Sequence, residues 1–268
     1  MTYRIALAAV ALLATPAAAQ EASGPVTVSG SVALVSDYRF RGVSQSDKEM
    51  AVQGGLTVSH ESGFYVGTWA SNLAGWGTFG GSNMELDLYG GFSTEVGGGA
   101  TIDVGLTWYM YPGGADNTDF AEPYVKLSGD VGPVSLLAGV AYAPKQEALG
   151  NFSNTPQSRG QKQDNIYLWG DASAAVPNTD LTLKAHLGYS DGNPGLGPNG
   201  TSVAPTGKYL DWMLGADYAI GPVTLGVAYV DTDISRSESA YLLPNFSSSK
   251  NGSSIASGRI VFSISAGF

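Results

Sequence analysis

Residues 258–268, GRIVFSISAGF, decide how the rest of the chain is interpreted. Apolar and polar side chains alternate strictly along this stretch. Because successive side chains of a β-strand point to opposite faces, the stretch predicts a strand with one apolar and one polar face. The apolar face carries Ile260, Phe262, Ile264, Ala266 and Phe268. The printed sequence therefore ends with an aromatic residue on the apolar side of a strand.

An aromatic residue in that position resembles the C-terminal signal of bacterial outer-membrane proteins. The barrel insertion machinery recognises that signal during biogenesis, and its candidate residues here are Phe262, Ile264 and Phe268. The resemblance implies a β-barrel in the bacterial outer membrane, with membrane lipid and lipopolysaccharide as its surroundings.

The N-terminal residues have the pattern of a signal peptide. Arg4 supplies a positive charge, residues 5–13 are apolar, and residues 17–19 match the small-residue cleavage pattern. We therefore expect a cleaved signal peptide over residues 1–19 and one mature domain over residues 20–268. The apolar run is shorter than the roughly 20 residues of a spanning helix, so an integral protein would have to be a barrel.

The composition also favours a membrane barrel over a soluble domain. Charged residues make up 13% of the chain, whereas soluble domains contain about 25%. The net charge of −10 disfavours nucleic acid as a partner. The chain has no Cys, which excludes thiolate metal sites and thiol nucleophiles.

Period-two alternation bounded by turn residues predicts an all-β fold, a transmembrane antiparallel up-and-down β-barrel of twelve strands. The first predicted strand covers residues 26–41 and is followed by an external loop over residues 42–49. The strand over residues 120–128 is the weakest, because Pro123 removes a backbone donor. The other predicted strands cover residues 50–59, 64–71, 83–92, 101–111, 134–143, 164–175, 180–190, 209–220, 223–231 and 258–268.

The connectors between these strands alternate in length, as they do in outer-membrane barrels with short periplasmic turns and long extracellular loops. Residues 93–100 and 221–222 are two of the predicted periplasmic turns. The longest predicted loops are rich in Asn, Ser, Gly and Pro, and we expect them to be mobile; they cover residues 144–163, 191–208 and 232–257. A further hairpin around residues 241–243 would raise the strand count to fourteen.

Aromatic residues distinguish the membrane barrel from a soluble sandwich or lipocalin-like barrel, whose apolar faces would point inward. They fall at both ends of the apolar faces, where a membrane barrel meets its two interfaces. One predicted band, at the extracellular ends, contains Tyr38, Trp108, Tyr142, Tyr189, Trp212 and Tyr229. The other band, at the periplasmic ends, contains Phe64, Phe92, Tyr218 and Phe268.

Three strings along the predicted strands are SDYRFRG at residues 36–42, FYVGTWAS at residues 64–71 and ELDLYGG at residues 85–91. They resemble the TorF family of proteobacterial porins, and the match covers the mature chain. The first string is the most specific part. The resemblance implies an outer-membrane barrel through which solutes diffuse, and it transfers no substrate, cofactor or catalytic residue.

Twelve tilted strands enclose a backbone diameter of roughly 24 Å, which suits passive diffusion of small hydrophilic solutes. Many inward positions are Gly. These glycines either leave room for water or pack beneath inward aromatic residues, and the pattern leaves both interpretations open. The inward tyrosines are Tyr65, Tyr89, Tyr109 and Tyr167.

Charges on the inward faces suggest a selectivity zone. A basic group would face an acidic group across the lumen and set up a transverse field; the candidates are Arg39, Arg41 and Arg259 against Glu85, Asp87 and Glu122. The alternative is that these charges form salt bridges that hold a polar lumen together. The other lumen-facing charges are Asp37, Asp103, Lys126, Asp171, Lys184, Asp211 and Asp217. Acids outnumber bases, so we expect a weak preference for cations.

Catalysis and metal binding have little support in the sequence. His60 and His186 have no Ser and carboxylate at a recognisable spacing, and the acidic loop over residues 113–119 does not match a Ca²⁺-binding loop. We therefore expect no enzyme, no metal and no cofactor. The second functional hypothesis is a non-conducting barrel with a structural or partner-binding role through its long loops. The sequence leaves the oligomeric state open.

Overall fold

The computed structural model describes residues 24–150, 156, 160–194 and 203–268. The expected signal peptide lies outside the described residues. Within the described part, the chain is nearly all β, and short 3₁₀ turns lie at Gly75–Thr78, Glu147–Leu149 and Ala240–Leu242. No helix among these residues has the length and hydropathy that a membrane-spanning helix requires.

Fourteen strands are present in the described residues, and twelve of them form one closed antiparallel barrel. The other two, β2 (Arg39–Phe40) and β3 (Val43–Ser44), pair with each other. The barrel strands are β1 (Val26–Val35), β4 (Ala51–His60), β5 (Phe64–Asn72), β6 (Met84–Gly97), β7 (Ala100–Met110), β8 (Phe120–Val131), β9 (Val134–Gln146), β10 (Gln163–Ala175), β11 (Leu181–Gly192), β12 (Lys208–Ile220), β13 (Val223–Thr232) and β14 (Arg259–Gly267).

The barrel closes between the first and last strands. β1 pairs with β4 on one side and with β14 on the other. Reciprocal backbone hydrogen bonds of 2.9 and 3.0 Å join Gly30 and Phe268, so the pairing extends to the final residue. The predicted twelve-stranded barrel is confirmed, and the region around Tyr241 forms a 3₁₀ turn instead of a further hairpin.

The outside of the barrel is apolar, as the alternation predicts. Val32 is 59% exposed and Phe262 is 61% exposed, although both are hydrophobic. The aromatic residues predicted for the two bands are exposed or half-exposed, with one exception. That exception is Tyr38, which is 2% exposed. Its placement on the outer surface was wrong because the chain turns inward before it.

At the short-turn end, the largest difference from the predicted strand lengths lies between β6 and β7. Residues 93–100 were predicted as a turn, but β6 continues to Gly97 and β7 begins at Ala100. Gly98 and Gly99 make this turn with φ angles of 63° and 78°, which glycine adopts without steric cost.

Pro123 is accommodated within β8, because it lies beyond the last residue pair of β8 with β9 and is paired with β7 alone.

The first strand ends at Val35 and not at Arg41 as predicted. Arg41 and Gly42 have φ angles of 47° and 78°, which is the pattern of a two-residue type I′ hairpin turn. This turn joins β2 to β3, and nearly all of residues 37–47 are buried. The predicted external loop over residues 42–49 is therefore part of an internal segment. We call residues 36–49 the inner hairpin.

Candidate functional site

The inner hairpin crosses the lumen and is held on the far wall by Arg41. The Arg41 Nη2 atom lies 2.7 Å from both carboxylate oxygens of Glu122 on β8. Its Nη1 atom donates a 2.8 Å hydrogen bond to Asn165 Oδ1 on β10. The guanidinium also lies 4.0 Å from the ring centroid of Tyr167. Because two nitrogens of one planar guanidinium are held by different residues, these contacts fix both its position and its orientation.

The base of the inner hairpin is organised around one buried carboxylate. Asp37 accepts a 2.9 Å contact from Arg39 Nε and lies 3.6 Å from Arg259 Nε. Ser44 Oγ donates to the other oxygen of Asp37. Two of the three predicted basic residues are therefore directed at the same acid and do not form an open basic surface.

The acidic wall that faces the hairpin lies on β6. The Tyr38 hydroxyl donates a 2.9 Å hydrogen bond to Glu85 Oε1. Asp87, two residues further along the same inward face, is buried, and its Oδ1 atom has no hydrogen-bond partner among the described residues. In the described part of the chain, neither carboxylate is paired with a cationic side chain.

These contacts decide the arrangement of the six predicted selectivity residues. Arg41 meets Glu122, while Arg39 and Arg259 meet Asp37. The predicted separation of a basic patch from an acidic patch is wrong, because the hairpin carries its arginine across the lumen to the opposite wall. The salt-bridge alternative describes Arg39, Arg41 and Glu122 correctly.

The remaining predicted lumen charges are also inside and are mostly paired. Lys126 Nζ lies 3.0 Å from Asp103, and Lys184 Nζ lies 2.6 Å from Asp217. His186 is held between two carboxylates and a tyrosine, with ring nitrogens 2.6 Å from Asp171 Oδ1, 3.2 Å from Asp211 Oδ1 and 2.9 Å from the Tyr167 hydroxyl. Buried charges with such partners give the lumen a fixed polar lining.

The inward glycines lie beneath aromatic rings. A Cβ atom at Gly67 would come 2.4 Å from the Tyr89 ring, and one at Gly188 would come 2.1 Å from the Tyr167 hydroxyl. The interpretation in which inward aromatic residues pack over glycine on the neighbouring strand is therefore confirmed at these positions. Absent side chains at these glycines do not widen the lumen, because rings fill the space.

A cavity of about 200 Å³ remains beneath the hairpin. It is bounded by Arg39 and Arg41 of the hairpin and by the acidic wall. Its lining continues to Ser59 and Ser93, toward the end of the barrel with short turns. Solvent-sized space is therefore present between the hairpin and that end.

The loop that connects β13 to β14, residues 233–258, covers the hairpin from the other side. Val43 of the hairpin packs in one cluster with Leu242, Phe246 and Ile255 of this loop. Lys48 Nζ donates to Ser253 Oγ. Burial lowers the pKa of the Lys48 amine, and the charge of Arg259 adds to the effect.

The mobility expected for the three longest loops stays a prediction. The covering loop packs on the inner hairpin through Leu242, Phe246 and Ile255. Parts of the loops over residues 144–163 and 191–208 lie outside the described residues.

Within the described residues, no group of three or more acids or histidines could hold a metal ion.

The family model described as "Bacterial protein of unknown function (Gcw_chp)" matches residues 19–268. The chain belongs to the Gcw_chp family. No curated protein matches it.

Two solved structures place this Gcw_chp barrel among porin folds. The NanC porin is similar with a TM-score of 0.54 and 12% identity, over 90% of this chain and 99% of the other. The KdgM porin, solved in complex with disordered oligogalacturonate, has a TM-score of 0.51 and 10% identity, over 90% of this chain and 98% of the other. At these identities the likeness concerns the fold alone.

Sequence reasoning missed the partners of the inner hairpin in this Gcw_chp protein. Asn165 and Trp69 were not among the candidate residues, yet Asn165 binds Arg41 and Trp69 packs against Tyr38 with ring centroids 5.4 Å apart. The local signal was incomplete: Gly42 suits the second central position of a type I′ turn, but Arg41 is not one of the residues that favour the first.

Proposed function

We propose that the protein is an outer-membrane porin-like channel for passive diffusion of small hydrophilic solutes. A closed barrel with an apolar exterior and a charged interior is a structure that satisfies its backbone hydrogen bonds within a bilayer. The observation that carries the proposal is this combination of the exposed apolar band with a polar, cavity-containing lumen. The TorF resemblance and the expected signal peptide agree with export to that membrane.

In this proposal the inner hairpin is the constriction. It lies across the lumen at the level of Glu122, and solutes would pass beside it or when it moves. A charged constriction in a narrow aqueous pore selects ions by sign. Because Glu85 and Asp87 have no cationic partner among the described residues, we propose that they make the field at the hairpin negative and give the pore a weak preference for cations.

The solute class follows from the same field. The KdgM structure contains oligogalacturonate, an acidic sugar. An acidic wall repels such anions, so we propose that this lumen admits neutral and cationic solutes better than acidic ones.

Planar-bilayer recordings of the refolded mature chain test the channel. We expect small, defined openings and a reversal potential of cationic sign under a KCl gradient. The charge-removing variant Glu85→Gln/Asp87→Asn should bring the reversal potential closer to zero, while Asp130→Asn at the exposed short-turn end serves as a control of equal charge change. A reversal potential of anionic sign would contradict the proposed preference.

A specific observation favours a second candidate, the non-conducting barrel. The hairpin and the covering loop bury two apolar clusters at the long-loop end of the lumen. A barrel closed in this way could instead present its loops to an external partner. The same recordings separate the two candidates, because a closed barrel gives no defined openings.

A further inference from the structure

Asp87 stands apart from the other acids in the lumen. It is 8% exposed and lines the cavity beneath the hairpin, and its buried Oδ1 atom has no hydrogen-bond partner among the described residues. The neighbouring acids are satisfied, because Glu85 accepts from Tyr38 and Glu122 accepts from Arg41. Burying a carboxylate without a partner is costly. A cation that enters the cavity would supply the missing partner.

Aromatic side chains surround this carboxylate. On the neighbouring strands, Trp69 and Tyr109 are its register partners. Tyr89 follows on the same inward face of β6, and Tyr38 approaches from the hairpin. Tyr38, Tyr89 and Tyr109 line the same cavity as Asp87. Aromatic faces attract cations, most strongly when the cation is desolvated.

We propose that Asp87 and these rings form a binding site for a small organic cation, a protonated or quaternary amine. The ammonium group would lie beside the carboxylate, and its carbon substituents would contact the rings. Two observations select this ligand class. Among the residues that the structure describes, the acids do not converge as metal ligands do, and the cavity of about 200 Å³ exceeds a single ion. The negative field proposed above would also repel anions. This proposal rests on the proposed function in one respect: the cation must be able to enter the lumen.

Calorimetric titration of the detergent-solubilised full-length protein with choline chloride tests the site. The matched ligand is 3,3-dimethyl-1-butanol, which has the shape of choline without its charge. We expect saturable binding of choline and at least about tenfold weaker binding of the alcohol, because a hydrogen bond or contact to a charged group contributes more than a neutral one. Equal binding of the two ligands, or binding of neither, would overturn the proposal without any variant.

Two variants locate the site. Asp87→Asn should weaken choline binding about tenfold or more, while Asp130→Asn, with the same change of charge outside the cavity, should leave it within about twofold. Heat-modifiable migration on gels first shows that both barrels are folded. If Asp87→Asn binds choline as the unmodified protein does, the assignment to Asp87 is overturned.

The failure of the channel and the failure of the site have different signatures. Titration in micelles requires no conduction, so choline binding to a barrel without openings would support the site and remove the channel proposal. Defined openings in bilayers without choline binding would retain the channel and remove the site.

Discussion

Removing the negative charge that anchors the inner hairpin should release it from the far wall. Arg41 and Glu122 are 1% and 4% exposed at their side chains and meet through two contacts of 2.7 Å. Removing one partner of such a buried pair costs about 3–5 kcal/mol. In Glu122→Gln, Arg41 keeps Asn165 and the Tyr167 ring, so we expect the lower end, about 3 kcal/mol. That corresponds to a roughly 100-fold rise in the population of the displaced hairpin.

A single introduced cysteine can measure this population, because the chain has none of its own. Val43 is buried under the covering loop, so Val43→Cys reacts with a maleimide only when the hairpin is displaced. Glu122→Gln should raise the labelling rate about 100-fold and lengthen channel openings. Asp103→Asn is the matched control, since it alters another ion pair of the lumen, which joins β7 to β8. If Glu122→Gln is labelled at a rate within threefold of that of the parent protein, the Arg41–Glu122 pair does not hold the hairpin in place and this reasoning is refuted.

Three further outcomes follow from the same structure. Gly67→Ala should destabilise the barrel by about 1–3 kcal/mol in urea unfolding, because its methyl group would overlap the Tyr89 ring; an unchanged midpoint would contradict the packing. Asp37→Asn should shift the reversal potential toward anions, because it removes the carboxylate that compensates two arginines. An unchanged reversal potential would contradict a contribution of this cluster to ion selectivity. Phe268→Ser should reduce the folded fraction in heat-modifiability gels, because it removes the ring that packs over Gly30 of β1 where the barrel closes; an unaltered folded fraction would contradict that role.

The barrel itself was predictable because its determinants are local. Alternation with a period of two assigns each side chain to a face, and Val32 or Phe262 needs no distant partner to be placed outside. Pairs such as Asp103 and Lys126 are also accessible, since they are cross-strand partners in adjacent strands.

The inner hairpin could not be predicted by the same rule. Tyr38 and Phe40 continue the alternation of β1, so their local pattern is that of a strand. Contacts between residues distant in sequence hold them inside the barrel. One of these contacts joins Arg41 to Glu122, 81 residues further along the chain. The local pattern therefore indicates which charged residues face the lumen. It does not indicate the ion-pair partners of the arginines, because these depend on the turn at Arg41 and Gly42, which forms only in the folded barrel.

The inner hairpin behaves as a tethered competitor. Both of its ends are fixed to barrel strands, so its arginine is presented to Glu122 at an effective concentration of about millimolar or above. In the proposed channel, a free solute that uses the same wall would have to outcompete this built-in occupant, and weakly binding solutes would pass only at high external concentration. The threshold for uptake would then be set by the length and stiffness of a chain segment.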